Sequence, residues 1–220
     1  MAADTPTQLP IVLPKPTDEP SASLFEAFQR RRTIREISAT LLPIQVQSNL
    51  LWAAFGVNRT IGPFGLAGRT AASASNSQEI DLFVAMRSGA FLYDALAPAL
   101  TPIVAEDLRK LAMTPRQNIE TAAPLQLIYV VDIRRLTHTA GFDEPGLRDR
   151  EVQKSYYFVD TGLVAGNVYL FAAAYGLATW FHNCDKAALT ARLHLHSEQK
   201  VLFAQSIGYP AEHGGHHEAL

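Results

Sequence analysis

One long uncharged stretch of the sequence runs from Thr161 to Phe181, 21 residues without an acidic or basic side chain. This length is close to the roughly 20 residues that a transmembrane helix needs. Glycines interrupt the stretch at positions 162, 166 and 176, and its end after Gly176 is typical of a short strand that follows a helix. We therefore expect a helix from about Glu151 to Tyr175 that is buried in a core or an interface and does not insert into a membrane.

Charge and cysteine content narrow the classes of function. Among 220 residues, 19 basic and 21 acidic side chains leave a net charge of −2. This balance argues against a protein that binds nucleic acid or an anionic membrane through its overall charge. The single cysteine, Cys184, excludes an internal disulfide framework and fits a reducing compartment. We expect a cytoplasmic protein, or a periplasmic one if an N-terminal signal has been trimmed.

The expected domain organisation is simple. Prolines at positions 6, 10, 14, 16 and 20 predict an extended arm over residues 1–22. Residues 23–220 are long enough to bury one sizeable core and predict a single domain.

Helical and strand patterns alternate along that domain and predict an α+β fold. Further helices are expected from Ser21 or Ser23 to Arg32, from Pro43 to Gly56, and over residues 105–112, 115–121 and 186–193. Strands are expected over residues 80–86 and 90–93, which form a hairpin, over 125–131, near Ala178, and over 201–207. A break is expected at residues 100–102, and long loops are expected over 58–78 and 138–150.

A cluster of basic residues follows the first predicted helix. Residues 31–35, here called the arginine segment, contain Arg31, Arg32, Thr33 and Arg35. Guanidinium groups bind phosphate oxygens in a bidentate way, and a threonine hydroxyl and loop amides would complete a phosphate site. The alternative is that these cations offset the negative end of the helix dipole and lie in water.

The loop before the first long strand offers small and amide side chains. Residues 73–78, here called the amide loop, read Ser-Ala-Ser-Asn-Ser-Gln. Asn76 and Gln78 each donate and accept hydrogen bonds, as the edge of a heterocycle with carbonyls and ring nitrogens requires. Asn and Ser are also ordinary turn formers, so the pattern alone does not decide.

Several common site motifs are missing from the sequence. It contains no G-x-G-x-x-G, G-x-x-x-x-G-K-[ST], G-x-S-x-G or H-E-x-x-H, so Rossmann, P-loop, esterase and zincin interpretations have no support. His213, His216 and His217 lie in a glycine-containing tail that preorganises no metal geometry. We expect no metal site and an inert thiol at Cys184.

The combination of parts resembles the nitroreductase family of flavin enzymes from about Leu24 to Pro210. The arginine segment is similar to the family's R-R-S-x-R opening, and the amide loop is similar to its S-x-x-N-x-Q loop. A branch that forms thiazolines and oxazolines is also similar at residues 50–59, 78–81, 166–170, 175–179 and 205–210. The resemblance implies a mixed, mostly antiparallel sheet flanked by helices in an interlocked homodimer.

The resemblance also implies a set of FMN contacts. In the family, the arginine segment holds the FMN phosphate and ribityl chain, and the amide loop reaches the flavin from the partner subunit. Gln117 would bind the pyrimidine edge of the flavin, and the main chain at His182 and Asn183 would lie beside its hydride-accepting nitrogen. The implied contacts are Arg31, Arg32, Thr33, Arg35, Ser73, Ala74, Asn76, Gln78, Gln117, His182 and Asn183. No side chain is assigned as catalytic, because the flavin carries the chemistry.

The sequence departs from the family pattern at three places. Relatives commonly have a proline before the loop serine and an arginine before the loop asparagine, where this chain has Ala72 and Ser75. Many relatives also place a Lys or Arg near the C-terminus against the phosphate, and residues 211–220 contain neither. FMN phosphate binding would then depend on the arginine segment.

The resemblance implies an FMN-dependent oxidoreductase with a ping-pong mechanism. NADH or NADPH would be the electron donor, and a nitroaromatic, a quinone or another small electron-poor molecule would be the acceptor. One alternative is an azoline dehydrogenase that acts on a peptide, for which Lys154-Ser155-Tyr156-Tyr157 faintly suggests a catalytic Lys-Tyr pair. Another is a non-catalytic flavin-binding protein.

Overall fold

Seven antiparallel strands form the central sheet of the computed structural model, which describes residues 8–17, 22–114, 122–140 and 148–211. Within these ranges the strands are β1 (Ile11–Val12), β2 (Val57–Arg59), β3 (Gly68–Arg69), β4 (Ile80–Met86), β5 (Gly89–Asp94), β6 (Ala99–Val104), β7 (Leu125–Asp132), β8 (Ala178–His182) and β9 (Gln199–Gly208). The sheet order is β1-β6-β5-β4-β7-β9-β8, and β2 pairs only with β3. The helices are α1 (Leu24–Arg30), α2 (Ile44–Phe55), α3 (Ile133–Thr137), α4 (Arg150–Ala174) and α5 (Lys186–Arg192). The predicted α+β fold with a mostly antiparallel sheet is confirmed.

Strand β7 lies inside the sheet, between β4 and β9. All eight of its residues are buried, which explains why the sequence shows a continuous apolar run there. Leu127 and Tyr129 face the main core on the side of α2 and α4, whereas Ile128 and Val130 face a second core on the side of α5. The predicted core strand over residues 125–131 is confirmed.

Helix α4 begins after Asp149, whose carboxylate caps the Glu151 N–H, and is confirmed to within one residue at each end. Its buried side packs against α1, α2 and the sheet. By length and composition α4 could cross a membrane, and 39% of its most apolar 18-residue stretch is buried. The expectation that it does not insert into one stays a prediction.

Two expectations were wrong. Residues 100–102 do not break the chain but belong to β6, because β1 covers only the start of β6 and the missing N–H of Pro102 costs no strand pairing. Residues 105–112 form turns instead of a helix, since the Asp107 carboxylate bonds the Arg109 backbone N–H and guanidinium and so competes with helical hydrogen bonding. The helix expected over residues 115–121 lies outside the described residues.

The described part of the predicted N-terminal arm, residues 8–17, packs along the domain. β1 pairs with β6, and Leu13 is buried in the main core. Farther along, Ser48 of α2 donates to the Pro14 carbonyl (2.5 Å). The arm therefore shields part of the β6 edge.

The expected loop over residues 58–78 contains more structure than its composition suggests. It holds the small β2–β3 hairpin and two short 3-10 turns, at residues 63–65 and 74–76. The second of these turns lies within the amide loop.

Candidate active site

The arginine segment leaves the end of α1 and runs along the outer strand of the sheet. Ser23 caps α1 through a capping box with Glu26, so the helix start is fixed at the second of the two predicted serines. The Ile34 N–H then donates to the Thr179 carbonyl of β8 (3.0 Å). Just beyond, the Ser38 N–H donates to the Tyr209 carbonyl (2.8 Å). The segment is thus fixed to the β8 side of the sheet by backbone bonds.

Glycine at position 208 permits this close packing. A Cβ atom at Gly208 would lie 2.6 Å from Ile37 Cγ2 and 2.7 Å from Pro124 Cδ. Real Cβ atoms do not approach other atoms so closely, so a side chain there would displace the chain that follows the arginine segment.

The side chains of the arginine segment are exposed. The Arg31 guanidinium lies 5.6 Å from the Tyr169 ring centre, and that of Arg35 lies 5.3 Å from the Trp180 ring centre. Within the described ranges, no carboxylate forms a salt bridge with Arg31, Arg32 or Arg35. Their positive charges are therefore available to a phosphate, and this donor set fits the phosphate of FMN. The solvated alternative would leave the same groups in water.

Tyr169 of α4 positions the middle of the arginine segment. Its hydroxyl lies 3.1 Å from Thr33 Oγ1 and accepts the Phe181 backbone N–H (3.0 Å). This role was not predicted from the sequence. The available signal was a tyrosine hydroxyl in the uncharged second half of α4, because a buried or half-buried hydroxyl needs a partner.

Replacing Tyr169 by phenylalanine tests this role. Phe keeps the ring beneath Arg31 but leaves the Phe181 N–H without its acceptor, so we expect about 1–2 kcal/mol of lost stability. Urea unfolding measures that loss. FMN titration should show several-fold weaker binding, because Thr33 loses its partner; unchanged stability and affinity would refute the positioning role.

The other end of β8 carries His182 and the exposed Asn183. The His182 ring is buried; its Nδ1 donates to the Asn183 carbonyl (2.9 Å), and its Nε2 lies 2.8 Å from Ser206 Oγ. Burial lowers the pKa of His182, although the bond to Asn183 opposes this shift. The ring is therefore neutral at pH 7 and fixes the backbone at Asn183. Next to it, burial raises the pKa of the Cys184 thiol to about 11, which agrees with an inert thiol.

Strand β8 thus lies next to two of the predicted FMN-binding segments, the arginine segment and the main chain at His182 and Asn183. Thr179, which anchors the arginine segment, and His182 are three residues apart, or about 10 Å along a strand. The Asp185 N–H donates to the Leu111 carbonyl (3.0 Å), so the chain that leads to residue 114 starts beside the same strand end. Gln117 itself lies outside the described residues.

The amide loop packs elsewhere, against the first half of α4. The Ala74 N–H donates to Asp160 Oδ2 (2.9 Å), and Ser73 Oγ accepts the Gln78 N–H (3.0 Å). Asp160 and Tyr169 are nine residues apart, about 13 Å along a helix. Among the described residues, no hydrogen bond joins the amide loop to the arginine segment. A single chain therefore holds the two groups at different positions along α4.

The amide side chains of the loop are engaged within the chain. Asn76 donates to the Pro63 carbonyl (3.1 Å), and Gln78 donates to the Ala67 carbonyl (2.7 Å). Gln78 Oε1 also accepts from Arg69 Nε (2.6 Å). These bonds hold the loop against the segment that contains the preceding 3-10 turn.

The order of these parts along the chain is that of a known family. The profile of the Nitroreductase family matches residues 28–209. The chain belongs to this family. A Methanocaldococcus jannaschii protein with a provisional nitroreductase name is 28% identical over 164 residues, which are 71% of this chain and 76% of the relative. The family resemblance inferred from the sequence is confirmed, and membership makes this nitroreductase-family chain an oxidoreductase.

Solved structures share the nitroreductase fold. One from Ralstonia eutropha JMP134, provisionally named a nitroreductase, is 29% identical with a TM-score of 0.82 and covers 95% of this chain and 93% of its own. The NADPH:FMN oxidoreductase of Vibrio harveyi, complexed with NAD+, is 19% identical with a TM-score of 0.57, covering 86% and 69%. A chain of the Escherichia coli microcin synthetase McbBCD complex is 17% identical with a TM-score of 0.66, covering 96% and 85%. At these identities the last two support the fold alone.

Proposed function

We propose that this nitroreductase-family protein is an FMN-dependent oxidoreductase that takes electrons from NADH or NADPH and reduces a small electron-poor acceptor by a ping-pong mechanism. The observation that carries the proposal is the pair of sites on β8. Guanidinium groups without carboxylate partners among the described residues lie near Thr179, and the backbone at His182 and Asn183 is fixed about 10 Å away. Family membership supports flavin-dependent oxidoreduction as the general activity.

The proposed contacts divide by the part of FMN that they would hold. The arginine segment would bind the phosphate and the ribityl chain through Arg31, Arg32, Thr33 and Arg35. The main chain of His182 and Asn183 would lie against the flavin ring, and Gln117 would bind its pyrimidine edge. The amide loop would contribute Ser73, Ala74, Asn76 and Gln78 from the partner subunit.

The chemistry belongs to the cofactor, and the chain binds and orients it. When bound, FMN would supply the redox chemistry, which is hydride uptake from NADH or NADPH and transfer of two electrons to a nitroaromatic, a quinone or a similar acceptor. The neutral His182 ring keeps the Asn183 carbonyl turned inward. The Cys184 thiol, protonated at neutral pH, offers no nucleophile beside the ring.

We propose a homodimer on the basis of exposed apolar side chains. In α1, Leu24, Phe25 and Phe28 are 59–72% exposed. In α4, Val159 and Leu163 are exposed on the face away from the core. Large apolar side chains left exposed in groups on two helices point to an interaction site. A second copy of the chain would cover it and would bring its amide loop to the flavin held by the first chain.

The visible spectrum of the purified protein tests the proposal. After incubation with FMN and desalting, we expect retained yellow colour that bleaches when NADH or NADPH is added without oxygen. Light scattering of the same sample at micromolar concentration should give the mass of a dimer. Loss of all flavin on desalting, or a monomer mass, would contradict the corresponding part of the proposal.

The two alternatives predict a different spectrum. A peptide azoline dehydrogenase or a non-catalytic flavin protein would retain colour that neither nucleotide bleaches. The candidate Lys-Tyr pair gives the first alternative little support, because the Lys154 ammonium is bound to Glu151 (2.5 Å) and Tyr157 is buried.

A further inference from the structure

The backbone of the amide loop is strained. Ser75, Asn76 and Gln78 have φ values of 48°, 54° and 51°, in the left-handed region that residues with a Cβ atom rarely adopt. Each such residue persists only where the surrounding structure enforces it, and such positions concentrate at functional sites. The groups that enforce this shape are therefore of interest.

Two buried carboxyl groups lie directly beneath the loop. Asp160 of α4 is 5% exposed and accepts the Ala74 N–H, whereas Glu79, directly after the loop, is 0% exposed and accepts the Ser77 hydroxyl (2.6 Å). The two side chains also interact with each other, and this interaction raises the pKa of Glu79. Two ionised carboxylates in one buried site repel each other, so the pair favours a proton on Glu79.

The groups around Glu79 favour its protonated form. Within the described part of the chain, Glu79 Oε1 has no N–H or O–H partner, and no salt bridge reaches either carboxyl. Arg135 of α3 donates to the Glu79 backbone carbonyl (3.3 Å), but its guanidinium pairs with Asp81 (2.6 Å). Burial, with a contribution from Asp160, raises the pKa of Glu79 to about 8.

We propose that Asp160 and Glu79 are positioning residues, two buried carboxyl groups that hold the amide loop in its strained shape. Asp160 fixes the start of the loop through Ala74, and Glu79 fixes its end through Ser77. That the loop contacts FMN rests on the proposed function. That the two carboxyl groups hold the loop does not depend on it, and this effect can be measured without flavin.

Amide hydrogen exchange of the flavin-free protein tests the pair. In Asp160→Ala the Ala74 N–H loses its acceptor, so its exchange should accelerate about ten- to a hundredfold. Asp160→Asn keeps an oxygen for Ala74 and can donate to Glu79, so exchange should stay within about threefold of the parent. Asp149→Asn, at the start of the same helix, is the matched control and should change nothing at Ala74. Equal acceleration in Asp160→Asn and Asp160→Ala would overturn the proposal.

The pH dependence of the same exchange tests the part that the Glu79 proton plays in holding the loop. Opening the loop exposes Glu79 to water, where it ionises as an ordinary glutamate, whereas the closed loop keeps its proton up to about pH 8. Exchange corrected for its intrinsic pH dependence should therefore rise with pH, by up to about tenfold per unit, and level off above pH 8. Glu79→Gln carries a permanent donor and should abolish this rise. Equal slopes in the parent and in Glu79→Gln would refute the part assigned to the Glu79 proton.

FMN titration separates this proposal from the proposed function. If the loop serves the cofactor, Asp160→Ala should bind FMN several-fold more weakly, and Asp160→Asn should bind it like the parent. Faster exchange without any change in FMN affinity would uphold the carboxyl pair and refute the assignment of the loop to the flavin.

Discussion

Alanine at Arg31 or Arg35 is expected to weaken FMN binding by about 1.5–3 kcal/mol, the range for a hydrogen bond to a charged group. The reason is local. Both guanidinium groups lie over aromatic rings and lack carboxylate partners in the described chain, so a phosphate would meet cations that no acidic side chain has neutralised. Residues 211–220 add no Lys or Arg that could compensate.

Arg30→Ala is the matched control for this prediction. Arg30 is the neighbouring arginine, but it belongs to α1 and pairs with Glu26 (3.3 Å) across one helical turn. Fluorescence titration of FMN at fixed ionic strength should show a clear loss for the Arg31 and Arg35 variants and almost none for Arg30→Ala. The difference should shrink as salt is added, because exposed charges are screened. Unchanged affinity in both Arg31→Ala and Arg35→Ala would leave the solvated interpretation of the segment standing.

The sequence predicted the elements whose patterns are local and long. β7 reads as a continuous apolar run because both of its faces are buried, and α4 reads as a helix because its start and end carry recognisable signals. The secondary structure of residues 99–112 depends instead on the segments that pack beside them. Whether Pro102 breaks a strand depends on the length of β1, about 90 residues earlier, and no local pattern contains that information.

In the candidate site, too, some residues could be predicted from the sequence and others could not. The arginine segment and the amide loop were found from residue types and spacing, since charged and amide side chains are visible in a sequence. Tyr169, Asp160 and Glu79 were not found, because their roles arise from contacts between α4 and distant segments. Asp160 lies 86 residues from Ala74, and only the fold brings the carboxylate beneath the loop.

The largest expected loss of stability comes from Leu127→Ala in β7. Leu127 is fully buried and stands opposite Val84 of β4 and Gln205 of β9. Truncation removes apolar contacts and leaves a cavity in a strand that is held on both sides, so the neighbouring strands cannot close the gap. We expect a loss of about 2–5 kcal/mol.

For a chain of this size that loss corresponds to a fall in Tm of roughly 4–20 °C. Leu96→Ala is the matched control, because Leu96 lies in the turn between β5 and β6 and is 71% exposed; its effect should stay within about 0.5 kcal/mol. Urea unfolding at equal protein concentration compares the two variants at the same concentration dependence from subunit association. A cost for Leu127→Ala no larger than that for Leu96→Ala would mean that the main core does not depend on β7. With a normal cost, retained FMN affinity would show that the site on β8 tolerates a loosened sheet interior two strands away.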